Sequence, residues 1–413
     1  MRAALAIVCP LLLLLVSVTG QTVRNWTSNS NRDWSRNGNW SGNNRPDASN
    51  EIAQFGTGNQ HNPELNANNY TVRGIRFSAG AAAYDVGDDN GSRTLKIGNG
   101  SSGFIENLSA SDQLISIATL QFQSDATIRT TGTGELSLSS NLTGSNRDLT
   151  FTASAAITVS GNITTGTGTL TKDGAADLFL AGANTYTGDT NIDAGAIVLQ
   201  ASNVFSNSGR IDIASGASLR LNDFSDAIAR LTGSGTVDFG NGGTLTLGSG
   251  YSSFSGAFTG SGTLVIGSGA TLTLGADFAN TGLNVILGGG TLRLAGHSLN
   301  LGALSVSDDS IIDFGWGWAD SALSVASLDF DATNTGLTVQ NWADATDYFF
   351  SQTAYAQGAA PLNQVTFQGW DAGDTKWQAY DHQITPVPEP SAYGAGLLAL
   401  AVAAGWWRRR ARA

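Results

Sequence analysis

Cysteine occurs once in this chain, at Cys9, inside an apolar N-terminal run. The rest of the sequence therefore has no disulfide framework, no thiol nucleophile and no cysteine-based zinc site. Lysine is limited to Lys96, Lys172 and Lys376, and histidine to His61, His297 and His382, too scattered to converge on a metal. Proline is scarce at 7 residues, and tryptophan is missing altogether between residues 41 and 315. Also absent are an Asp-x-Asp-x-Asp-Gly calcium loop, a calcium-binding nonapeptide array, a phosphate-binding glycine loop and a nucleophile elbow. With these missing, the expectation is a chain without cofactor, metal or catalysis of its own.

Glycine is abundant, at 52 of 413 residues, and acid outweighs base. Of 21 basic residues, Arg2, Arg408, Arg409, Arg410 and Arg412 lie at the two ends. The 16 that remain face 33 acidic residues, a formal net charge of −17 over Gln21–Pro390. Such a surface repels nucleic acid and anionic lipid, so neither is expected as a partner. Abundant Thr, Ser, Asn and aliphatic residues in alternation read as turn-rich β-structure rather than disorder.

Both ends carry addresses. Arg2, the apolar run Leu5 to Val18 and the small residues Val18-Thr19-Gly20 form a secretory signal peptide over 1–20, which implies passage through the Sec translocon. At the other end, Val387-Pro388-Glu389-Pro390-Ser391 precedes an apolar span from Ala392 to Trp407 that includes Leu397, Leu398, Leu400 and Val402. The span of 16 residues would reach ~24 Å as a helix, against ~30 Å of hydrocarbon. Interfacial Trp406 and Trp407 and snorkelling Arg408, Arg409, Arg410 and Arg412 make up the difference, with the arginine side cytoplasmic. This ending resembles the PEP-CTERM sorting signal of Gram-negative bacteria. The resemblance implies recognition by an exosortase, an integral-membrane cysteine-type processing enzyme. It also implies cleavage near the motif and delivery to the envelope or extracellular matrix.

Between the ends one pattern recurs: glycine, small or polar residues, then apolar-x-apolar. It appears at Gly216–Leu221, Gly243–Leu247, Gly269–Leu274 and Gly290–Leu294, each after a partner segment 7 or 8 residues earlier. Successive units, counted at Leu219, Leu245, Leu272 and Leu292, lie 26, 27 and 20 residues apart. A unit this short cannot bury its apolar face alone, whereas stacked units close a continuous core. The expected fold is therefore all-β, a parallel β-helix of some 12 to 15 coils and roughly 60–70 Å, with glycine at the corners. The same 8-residue offset also fits antiparallel hairpins in a sandwich or jelly roll. The uneven period favours the solenoid, read as corner loops of varying length.

The residues Gly168-Thr169-Leu170-Thr171-Lys172-Asp173-Gly174, then Leu178 to Thr190, then Gly195 to Leu199 resemble the autotransporter-associated β-strand repeat, or passenger-associated transport repeat. Ala176 stands where that family usually has glycine. The resemblance implies a right-handed parallel β-helix exported across an envelope. No translocator barrel follows the helix in this sequence, so self-export is not expected.

The tryptophans bracket the coils and suggest end caps. The expected organisation is a Trp/Asn-rich cap over 21–70, coils over 71–305 (the repeat at 168–199), final coils and a cap over 306–384, and the sorting tail over 385–413. Two surfaces invite chemistry. Trp26, Trp34 and Trp40, set among asparagines and arginines, would stack sugar rings if exposed. Asp212, Asp238, Asp313 and Asp329 would form a carboxylate row, as a polysaccharide lyase needs, if they shared a face, although Val265 and Ile286 interrupt it. The reading is an exported structural or adhesive surface protein, with exopolysaccharide or other surface proteins as partners and carbohydrate binding as the alternative.

Overall fold

Alternation builds the strands. In Ala270–Leu274 the residues Ala270, Leu272 and Leu274 are buried while Thr271 and Thr273 stay partly exposed. The same two-residue period recurs in Gly243–Leu247 and Leu149–Ala153, so each strand offers one apolar face to an interior and one to water. The computed structural model describes residues 20–387 except 59, 68–69, 99, 207–208, 318–319, 345 and 372. The signal run, Pro388 to Ser391, the apolar span and the arginine tail lie outside the described residues. Among those described, no helix is long and apolar enough to cross a membrane.

The chain winds around three faces. The first is a single sheet of 16 strands, from Thr22–Asn25 to Val365–Phe367. The second is a 10-stranded sheet ending at Ala257–Thr259, followed in chain order by a 4-stranded sheet from Phe278–Asn280 to Tyr348–Ser351. The third is a 5-stranded sheet ending at Ile163–Thr164 and then a 6-stranded sheet starting at Ser225–Ile228. One coil reads Arg210–Ile213, Ser218–Arg220, Ser225–Ile228, and the chain then returns to the first face at Arg230–Gly233. Ladders within these sheets are parallel, for example Leu245 with Leu264 and Leu264 with Val285. The one antiparallel ladder among the described residues joins Thr375–Trp377 to Ile384–Pro386 near the C-terminal end. That pattern excludes the sandwich. Sixteen stacked strands make a rod of roughly 70 Å.

The period needs correcting. First-face strands start at Leu170, Thr190, Arg210, Arg230, Gly250 and Ala270, a regular coil of 20 residues. Leu219 lies on the second face, Leu245 on the third, and Leu272 and Leu292 on the first. The 26- and 27-residue intervals are therefore one coil plus one face, and the 8-residue offset is the step from face to face. Corner lengths still differ, from four residues at 214–217 to two at 234–235, so the expected variation in the loops stands.

Inward columns run the length of the rod. On the second face Leu136, Ile157, Leu178, Ile197, Leu219, Val237 and Phe258 follow one another in register. All are buried, each worth about 2 kcal/mol of apolar transfer. The coils pack too closely at some corners for any side chain. A Cβ on Gly182 would lie 2.2 Å from the Gly161 carbonyl oxygen, and one on Gly161 2.0 Å from that of Ser140. On the outside, Arg76, Glu106 and Arg129 align across three first-face strands, and the two guanidiniums cover the buried Glu106 carboxylate.

Candidate functional site

The N-terminal tryptophans form a plug. Trp26, Trp34 and Trp40 are 3%, 0% and 2% exposed. Trp40 meets Trp26 edge-on at 5.0 Å and Trp34 at 4.8 Å, and all three rest on Phe55. The Trp26 indole N–H donates to the Gln60 carbonyl and that of Trp40 to the Trp34 carbonyl. The surrounding amides close the loops themselves: the Asn39 side chain donates to Asn31 Oδ1 and to the Asp33 carbonyl. A sugar stacks on an open ring face, and these rings offer none. Trp26, Trp34 and Trp40 therefore cap the end of the rod, and the alternative of a glycan contact has no ring face to use.

The aspartate row is also dispersed. Asp212 and Asp313 stand on the first face, Asp238 on the second and Asp329 on the third. Their matching sequence triplets arise because each face repeats the same alternation. Asp212 accepts the Thr232 hydroxyl, and Asp313 pairs with Arg293 at 3.3 Å. Among the described residues no three His, Cys, Asp or Glu side chains gather to hold a metal.

What the structure does gather lies in the central coils. Lys172 occupies an inward position, in register with Phe151 below and Ile192 above, and is fully buried. Its ammonium donates to the carbonyls of Asp173 (3.0 Å) and Gly174 (2.7 Å) in its own coil and of Ala194 (2.9 Å) in the next. Burial pushes its pKa down to about 8, while the carboxylates of Asp177 and Asp173 pull it up. Gly174 (φ 81°) and Gly195 (φ 67°) turn this corner in the left-handed region, leaving carbonyls that only a long donor reaches. A lysine at an apolar place in the alternation was the sequence signal for this role.

Nearby, side chains replace missing rungs. Among the described residues the third face has no strand between Ile163–Thr164 and Ser225–Ile228. Asn184 Oδ1 accepts the Ile163 N–H at 2.7 Å, and the Asn184 backbone N–H donates to the Val204 carbonyl. The buried Asp226 carboxylate then accepts the N–H groups of Val204 (2.7 Å), Phe205 (3.2 Å) and Ala227 (2.8 Å). Burial outweighs these bonds and raises its pKa from 3.8 to about 6. A carboxyl raised on folding favours the protonated native state. Its stabilisation is complete below the unfolded value and is lost as pH rises through about 6. The expected gain from pH 7 to pH 4 is at most about 3 kcal/mol. Urea unfolding across that range should show the slope, and Asp226→Asn should flatten it. An unchanged slope would assign the pH dependence to other carboxyls.

These features define a parallel β-solenoid repeat protein whose central corner is stapled by a buried lysine. Residues 170–199, the coil that holds the staple, match the passenger-associated-transport-repeat family. Neither the curated proteins nor the solved structures yield a match to the chain.

Proposed function

We propose that this chain is an exported structural or adhesive rod of a bacterial cell surface or exopolysaccharide matrix, with no catalysis of its own. The observation that carries the reading is the passenger-type repeat seated in a continuous parallel solenoid. A rod of roughly 70 Å with excess acid is suited to spacing and to multivalent weak contact. In this reading the Sec translocon exports the chain. An exosortase then recognises Val387-Pro388-Glu389-Pro390-Ser391, while the span from Ala392 to Trp407 and its terminal arginines hold the precursor in the membrane.

Intact mass of the protein recovered from its own host tests this directly. The surface or matrix fraction should contain a chain lacking residues 1–20 and cut near the Pro-Glu-Pro motif. A Pro388→Ala, Glu389→Ala variant should accumulate in the membrane fraction with its tail intact. A full-length chain in the cytosol would overturn the reading. So would release of reducing ends or unsaturated products from acidic polysaccharides by the purified protein.

A further inference from the structure

At the end of the rod opposite the tryptophan plug, the corner leaving the first face changes character. Strands Ser310–Asp313, Leu337–Gln340 and Val365–Phe367 pair in parallel register, so the residues that follow them stack coil upon coil. Those residues are Phe314-Gly315-Trp316-Gly317, Asn341-Trp342 and Gln368-Gly369. Trp316, Gly317, Asn341, Trp342, Gln368 and Gly369 line an open cleft of about 540 Å³. That lies within the ~300–1,000 Å³ typical of small-ligand sites.

The lining combines an exposed ring with amide side chains. Trp316 is 81% exposed, although an indole is normally driven inward. Gly315 (φ 102°) and Gly317 (φ 74°) flank it, so the turn rather than packing sets its position. Trp342 lines the cleft and is wedged edge-on between Phe314 at 4.9 Å and Phe367 at 5.1 Å. The Asn341 amide donates to Asp313 Oδ1 at 2.6 Å, which fixes its orientation and leaves its oxygen as an acceptor. Gln368 adds an exposed amide.

We propose that this corner cleft binds a neutral hexopyranose unit of a polysaccharide. The Trp316 ring stacks on the apolar C–H face of the sugar. The Asn341 oxygen and the Gln368 amide bond its hydroxyls. The formal net charge of −17 over Gln21–Pro390 and the adjacent Asp313 select against uronates and other anionic sugars. This ligand class goes beyond a spacing role and stands on local geometry, whether or not the tail is processed.

The test is calorimetric titration of the mature chain with cellohexaose and mannohexaose, with an alginate oligomer as the anionic control. At least one neutral oligosaccharide should bind and the alginate should not. Trp316→Ala should weaken binding by about tenfold or more, while the thermal midpoint stays unchanged because the side chain is 81% exposed. Gln368→Ala should weaken it less, and Tyr251→Ala, at an equally exposed ring elsewhere, should leave it intact. Absence of neutral-sugar binding, stronger alginate binding, or a Trp316→Ala variant that binds like wild type would each overturn the proposal. So would self-association that depends on Trp316 in the absence of sugar binding, since the cleft would then be a contact between copies.

Discussion

Lys172→Met should destabilise the centre of the rod by about 3–5 kcal/mol, even though methionine keeps the apolar stem. Three carbonyls converge on the ammonium, and among the described residues no backbone N–H reaches those of Gly174 or Ala194. Each carbonyl left dry and unpaired costs about 1–3 kcal/mol. Against this, the variant no longer buries a charge, and replacing buried ions by well-packed apolar groups is often neutral or stabilising. The balance favours lysine because the carbonyls remain when the ammonium is gone. Lys172→Arg should not rescue, since a planar fork cannot gather three carbonyls around one nitrogen. Urea unfolding together with hydrogen exchange checks the claim. Protection should fall first in Leu170–Asp173 and Ala196–Leu199, and stability equal to wild type would remove the staple from the account.

Inside and outside were legible within strands, and much less so at corners. The alternation at Leu272 and Leu292 gave the buried positions, because a strand has only two sides. Which face each strand joined was hidden. Three faces carry the same pattern, so Leu219 to Leu245 looked like a repeat when it was a coil and a face. The same aliasing aligned Asp212 with Asp238, which stand on different faces. Corners have no period to read. Trp40 and Trp316 sit in similar glycine- and polar-rich sequence, yet one is 2% exposed and the other 81%. The difference is positional: the first lies over the open start of a core, and the second on a turn held outward by two glycines. The passenger-type repeat was readable because its residues run unbroken over Gly168–Gly174, Leu178–Thr190 and Gly195–Leu199. The sorting motif, the apolar span and the signal run lie outside the described residues, so the reading of both ends rests on sequence.

Trp40→Ala should produce a loss of similar size but different reach. Removing a fully packed indole costs about 3–5 kcal/mol. Trp40 also carries the edge contacts to Trp26 and Trp34 and donates to the Trp34 carbonyl, so its loss loosens the whole plug. In a stacked array each coil contacts only its neighbours, so a defect at one end frays that end. Hydrogen exchange should rise in Glu51–Phe55 and Gly74–Phe77, while Leu283–Gly288, many coils away, keeps its protection. The exposed first-face edge is then a template for pairing with another chain, so the variant should also associate at concentrations where wild type does not. Uniform loss of protection along the rod would mean that the coils fold as one block and that the plug governs global stability. The contrast with Lys172→Met is the sharper discriminator. A central staple and an end plug should give two separable patterns of exchange only if neighbouring coils, not the whole rod, are the unit of cooperation.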